Sequence, residues 1–242
     1  MDRSEPAIEA FAELADALVG DFDLVETLDR IVGHCVTVCG AAGVGLVIQD
    51  AHHVLRDIAY SDDQVRRLER HQVTVDEGPC VDCVATGDIV IAHDLGAAHT
   101  RWPRFAPAAL DAGFTSVRAL PIRHRGRTIG ALNLFDQDTG AGSEAALRAA
   151  QAFADLALLA VLQQAQPRDG IAAHITRALH DRSGIERAKG MLAHDADTSL
   201  DHAFTLLRAH AHRTGQGITT LARALAEGQT TTREVLAAAP SQ

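Results

Sequence analysis

The chain has 242 residues, 47% apolar and 22% charged, with a mean hydropathy of +0.00, the composition of an ordinary globular protein long enough for one large domain or two modest ones. A formal net charge of −10 excludes a protein that coats nucleic acid wholesale, and four cysteines in so long a chain exclude a disulfide scaffold. The acidic start (Asp2, Glu5, Glu9) does not read as a secretory signal, and the apolar stretch Ala152 to Leu162, interrupted by Asp155, is shorter than a bilayer span, so a cytoplasmic protein without membrane contact is expected.

In chain order, residues 6–19 and 23–38 carry helical periodicity. In the second, Leu24, Leu28, Ile31 and Cys35 recur at three- and four-residue steps behind Asp23, with Glu26 completing a capping box. Gly43 to Ile48 and Val54 to Tyr60 read as strands around a turn at His52 and His53. Asp62 to His71 reads as a charged, exposed helix and Ile89 to Ala92 as a short strand. A loop holding Trp102, Pro103 and Phe105 leads to Thr115–Ile122 and Thr128–Phe135, a hairpin turning at Arg125-Gly126. This order predicts an α+β layer architecture, an antiparallel sheet with helices on one side.

Ser143 is a natural N-cap for a long helix. Its Leu147, Ala154, Leu158, Val161 and Ala165 form a coiled-coil-like seam, and Phe153, Leu156 and Ala160 form a second stripe. Two apolar faces call for two partners, its own domain and a second copy of the chain; wholly intramolecular burial is the alternative. Pro167 and Gly170 mark a break. Three shorter helices follow. Ser183 with Glu186 caps 184–194, and Thr198 with Asp201 opens 199–213, where Leu200, Ala203, Leu207 and Ala211 share a face. After Gly215-Gln216-Gly217, Ile218, Leu221, Ala222 and Leu225 face inward on 218–227. The expected domains are therefore 1–142, a linker helix over 143–173, an all-α module over 174–228 and a tail over 229–242.

Charge divides along the same line. Residues 168–242 hold nine basic and eight acidic residues, whereas 1–167 hold 13 and 24, so the negative excess belongs to the first part. Of the 22 cations, 21 are arginine and the exception is Lys189.

Residues 174–228 resemble the ANTAR domain, a three-helix RNA-binding module of transcription antiterminators. The resemblance rests on Ala178, Leu179, Arg182, Ile185 and Ala188-Lys189-Gly190, then Ala203, Phe204, Leu207, Arg208 and Ala211, and a closing Leu221-Ala222. Residues 20–162 are similar to a GAF domain, a small-molecule sensor fold, and most of all to GAF domains fused to ANTAR in actinobacteria. Glu77–Cys80 (EGPC), Thr86–Val90, Arg101–Phe105 (RWPRF) and the hairpin Ala119–Phe135 carry that likeness. The resemblance implies a one-component, non-enzymatic regulator. The first domain senses a small-molecule or protein signal, the long helix couples and dimerises, and the last holds a hairpin in nascent RNA so that a terminator cannot form.

The expected RNA-binding residues are Arg182, Arg187, Ala188, Lys189, Gly190, Arg208 and Arg213. Arg182 and Lys189 are seven apart and share a helix face, and small Ala188 and Gly190 let a nucleic-acid backbone approach. Where the family carries a basic or asparagine-rich turn this chain has Arg213-Thr214-Gly215-Gln216-Gly217, so fewer phosphate contacts and weaker salt dependence are expected. Cys80 and Cys83 form a C-x-x-C pair, and Cys35 and Cys39 lie one turn apart. Inert buried thiols are expected, with a thiol redox enzyme or zinc site as the alternative. DNA binding by the last helix is a further alternative, weakened because 218–227 offers only Arg223 as a cation. The histidines show no metal-ligand spacing, no phosphate-binding or nucleophile motif is present, and no cofactor is identified.

Overall fold

The computed structural model describes residues 4–140, 142–164 and 171–237. The chain divides into two compact units, Met1–Thr176 and Arg177–Gln242. Ala165, Pro167 and Gly170, on which the end of the seam and the expected break fall, lie outside the described residues.

The first unit opens with α1 (Ser4–Val19) and α2 (Leu24–Cys39). Asp23 caps α2 by accepting from the Val25 and Glu26 amides, and Gly40 ends it at φ 65°. Strands β1 (Gly43–Gln49) and β2 (Leu55–Tyr60), helices α3 (Asp63–Val75) and α4 (Pro79–Thr86), strand β3 (Val90–Ala92) and helix α5 (Phe105–Asp111) follow. The hairpin β4 (Ser116–His124) and β5 (Arg127–Asp136) and helix α6 (Glu144–Gln163) complete it. Arg125 and Gly126 both hold positive φ, 50° and 78°, as a two-residue hairpin turn of the right twist requires.

The five strands form one antiparallel sheet in the order β2-β1-β5-β4-β3. Strand alternation sorts its side chains into two cores. Val47, Val117, Ala119, Ala131 and Phe135 join residues of α3, α4 and α5, including Leu68, Cys80, Cys83 and Phe105. Buried Leu46, Ile48, Leu120, Ile122, Leu132 and Leu134 point to the opposite face, where α2 and α6 pack. Helices thus cover both faces, correcting the one-sided layer: α4 and α5 are short helices that the hydrophobic pattern leaves as loop, and Trp102, 1% exposed, is core.

Helix α6 buries Ala146, Ala150, Phe153, Ala154, Ala157, Ala160 and Val161, and Phe153 stacks on Phe11 with centroids 4.7 Å apart. Ala154 and Val161 of the expected seam and Phe153 and Ala160 of the second stripe are thus buried by this chain itself, whereas Leu147, Leu156 and Leu158 are half-buried; Leu159 is the large apolar residue of α6 left substantially exposed, at 43%. By length and composition α6 is long and apolar enough to cross a membrane, which corrects the expectation from the 152–162 stretch. Here its small residues pack on α2 and β4 instead.

Helix α7 (Ile171–Asp195) crosses the unit boundary, and α8 (Leu200–Thr214), α9 (Ile218–Ala226) and α10 (Thr232–Ala237) build the second unit. Its core includes Ile185, Ala188, Leu192, Ala203, Leu207, Ala211, Leu221, Leu225 and Val235. Three local expectations change. Ser183 caps nothing, because its hydroxyl donates back to the Leu179 carbonyl at 3.1 Å while α7 runs on unbroken. The cap of α8 is Ser199, accepting from the His202 amide, rather than Thr198. In the tail, Thr231 and Glu234 form a reciprocal capping box for α10.

Candidate functional site

Arg182, Glu186 and Lys189 occupy one face of α7 at four- and three-residue steps. Glu186 Oε1 lies 3.2 Å from Lys189 Nζ and 3.6 Å from Arg182 Nε. From α8, Phe204 places its ring 5.3 Å from Lys189 Nζ and 4.6 Å from Arg208 Cζ. A cation leaves water only where an opposite charge and a π-face replace its hydration, and this cluster supplies both. Lys189 and Arg182 are 3% and 5% exposed, and Ala188 is fully buried.

The expected set thus separates. Arg182, Ala188 and Lys189 belong to the interior of the bundle, which corrects the picture of a lysine standing between two small residues on an open surface. Arg208 is half-buried against Phe204, whereas Arg187, Gly190 and Arg213 are exposed. A Cβ at Gly190 would meet nothing within 4 Å, so packing within the chain does not demand glycine there. Arg187, Gly190, Met191 and His194 are all exposed and recur at three-, one- and three-residue steps, a continuous α7 surface. Residue type alone does not mark Met191 and His194; they join this surface through the helical period, opposite the face buried at Ala188, Lys189 and Leu192. At the end of α8, Arg213 Nη2 stands 2.9 Å from His210 Nδ1.

In the first unit, EGPC and RWPRF close on each other. Glu77 Oε1 accepts from the amides of Arg104 and Phe105, the latter at 2.8 Å, and Oε2 accepts from Arg104 Nε at 3.1 Å. Desolvation pushes the Glu77 carboxyl up, but these amides and the guanidinium outweigh it and hold it below the usual carboxylate range. Asp82 Oδ2 accepts from Trp102 Nε1 at 3.1 Å and Arg101 Nε at 2.9 Å. Two acids of one loop-and-helix segment thus fasten the segment that carries Trp102 and Phe105.

All four cysteines are buried and none forms a disulfide. Burial pushes the Cys80 thiol well up and the Cys83 thiol to about 12. A hydrogen bond to Cys39, 3.8 Å away, and burial raise Cys35. Groups held as thiols are poor nucleophiles and poor metal ligands at neutral pH. Among the described residues no three His, Cys, Asp or Glu side chains gather as a metal site.

Comparison with known proteins locates the chain. A GAF domain profile matches residues 23–162 and an ANTAR domain profile matches 173–225. No curated protein matches the chain. Among solved structures, the GAF domain region of a membrane protein from Geobacter sulfurreducens PCA is 18% identical with a TM-score of 0.50, covering 58% of this chain and 93% of that one. A free methionine-R-sulfoxide reductase from Neisseria meningitidis, solved with its substrate, is 15% identical with a TM-score of 0.52, covering 67% and 92%. A GAF domain from A. aeolicus in an inactive state is 13% identical with a TM-score of 0.51, covering 68% and 100%. At these identities the likeness is one of fold.

Proposed function

The chain belongs to the GAF domain family and carries an ANTAR domain behind it, and from that premise we propose that it is an RNA-binding antiterminator whose sensor domain governs the grip of its C-terminal helices on a hairpin in nascent RNA. A GAF sensor joined to an ANTAR domain makes a signal-responsive regulator rather than an enzyme. Burial that holds Cys80 and Cys83 as thiols weighs against reading this chain as a thiol reductase. The observation that carries the RNA reading is the exposed surface of Arg187, Gly190, Met191 and His194 on α7, with Arg213 at the end of α8, inside the ANTAR match. Arg187 and Arg213 meet phosphates, Gly190 leaves room for the backbone, and Met191 offers an apolar platform for an unstacked base. Buried Arg182 and Lys189, with Arg208 on Phe204, fix the helices that present this surface.

In this reading the protein works in the cytoplasm as a homodimer and takes its signal, a small molecule or a protein, at the GAF domain. The test is titration of the full chain against RNA carrying two adjacent hairpins, with duplex DNA as competitor. Binding that weakens on Arg187→Ala and Arg213→Ala and resists the duplex supports the reading. Unchanged binding by both variants, or displacement by duplex DNA, overturns it.

A further inference from the structure

We infer that Glu69, Gln72 and Asn133 form a proton-operated latch in the sensor interior, one proton on Glu69 setting how firmly α3 and the first turn of α4 are held to the sheet. The inference rests on the sensor half of the reading above and on none of its RNA half.

Glu69 is 0% exposed. Asn133 Nδ2, from β5, donates to its two carboxyl oxygens at 2.8 and 3.0 Å, and Gln72 Nε2, one turn along α3, donates to Oε2. Gln72 Oε1 in turn accepts from the Cys80 amide in the first turn of α4 at 3.2 Å. One carboxyl group therefore ties helix α3 to the central strand and, through Gln72, to the start of the next helix.

The surrounding sequence is cut to fit it. Gly45 of β1 pairs in register with Asn133, and a Cβ there would overlap the Glu69 carboxyl. A Cβ at Gly78, whose φ of 136° already favours glycine, would overlap Gln72. An apolar side chain would fill this space without the cost of burying an acid, so a carboxyl with two tailored glycines marks a group kept for its charge state.

Among the described residues no ion pair reaches Glu69. Arg66 and Arg70 of α3 both turn to Asp57 of β2, at 3.4 and 3.1 Å, and Asp57 adds repulsion toward Glu69. Helix α4 brings the neutral Cys80 thiol, and its Asp82 is occupied by Arg101 and Trp102. Strands β1 and β5 bring Gly45 and Asn133, and the titratable residue of α5, Asp111, is exposed. Burial first, then Asp57, outweigh the two amide donors and push Glu69 up to about 8.

The sign follows from linkage. Between the carboxyl's ordinary value and about 8 the folded state holds a proton that the unfolded state has lost, so stability falls as pH rises through that window. Below it, the carboxyl proton needs an acceptor, and Asn133 Oδ1, buried without a hydrogen-bond partner, supplies it once that amide turns over, so the latch is closed. Above it, the carboxylate keeps its amide donors but holds an unneutralised charge in the core, and the α3–α4 attachment loosens.

The experiment compares the full chain with its Glu69→Gln variant by thermal unfolding at about pH 5.5, 7 and 9, alongside an infrared titration of the wild type. The midpoint of the wild type falls several degrees further than that of the variant across this range. A buried protonated-carboxyl band fades as pH passes through about 8 and is missing from the variant. Parallel pH profiles, or no such band in the wild type, overturn the latch. The infrared titration decides even where the variant fails to fold, and neither readout involves RNA, so failure here and failure of the RNA reading are told apart.

Discussion

Lys189 Nζ lies 5.3 Å from the centroid of the Phe204 ring, so the chain's only lysine points at an aromatic ring of the neighbouring helix. With Glu186 at 3.2 Å it acts as a fastener between α7 and α8. Lys189→Ala should lower the stability of the C-terminal unit by about 1–3 kcal/mol, Arg182 remaining to partner Glu186. Urea unfolding followed by far-UV circular dichroism measures this. A stability unchanged by the substitution would show the cluster to be decorative.

Arg187→Ala and Arg213→Ala should leave stability within about 0.5 kcal/mol of wild type, since both side chains are exposed. Each should weaken RNA binding and lower the slope of log K against log salt by roughly one unit. Filter binding across a salt series reads both quantities. A lost affinity with an unaltered salt slope would remove the phosphate role.

Glu77→Gln keeps size but removes the charge that draws the Arg104 guanidinium and the Arg104 and Phe105 amides together. A lower melting midpoint of the sensor domain at neutral pH is expected. Because the Glu77 carboxyl is held below its ordinary range, its contribution is present at neutral pH and is lost as pH falls through the acid range. The gap between wild type and variant should therefore close in acid; a constant gap would assign the loss to shape alone.

Native protein should react slowly with iodoacetamide near neutral pH at all four cysteines, and quickly once unfolded. Mass spectrometry of timed samples decides it. Rapid labelling of Cys80 or Cys83 alone in the folded chain would reopen thiol chemistry.

Phe153→Ala should cost about 3–5 kcal/mol, for the ring is fully buried and stacked on Phe11. Leu159→Glu, on the exposed side of the same helix, should spare the fold but shift the sedimentation coefficient to that of a monomer if α6 carries the dimer contact. A dimer that survives the glutamate places the contact elsewhere.

Much of the fold was legible because period and punctuation agreed. Asp23 capped α2, Arg125-Gly126 turned the hairpin, and the largely apolar run Val117 to Ile122 is buried throughout, as a strand covered on both faces must be. Helix α5 was not legible, since seven residues carry barely two turns, no side chain caps it from Arg104, and the acceptor for its first amide is Glu77, 28 residues before Phe105. The site was half legible for a related reason. Charge and spacing found Arg182 and Lys189, but whether a cation faces water depends on what the next helix brings. The spacing within α7 pairs Lys189 with Glu186, but nothing in α7 says that Phe204 of α8 will close over them. Glu69 escaped altogether, because one acid in a charged helix looks solvated until Gly45 and Asn133 are brought alongside.

The alanines that line the buried side of α6 carry a different kind of consequence. Ala146, Ala150, Ala154, Ala157 and Ala160 let the helix lie close to α2 and β4, and all five are buried. Drift through time at these sites is bounded on both sides: a methylene more forces the backbones apart, and a methyl less loosens the helix itself. Exposed Leu159 and Asp155 on the same helix are under no such bound. Selection can therefore rewrite what the outer side of α6 meets while the inner side stays fixed in volume, and a library that randomises the helix should return only the smallest residues at those five positions.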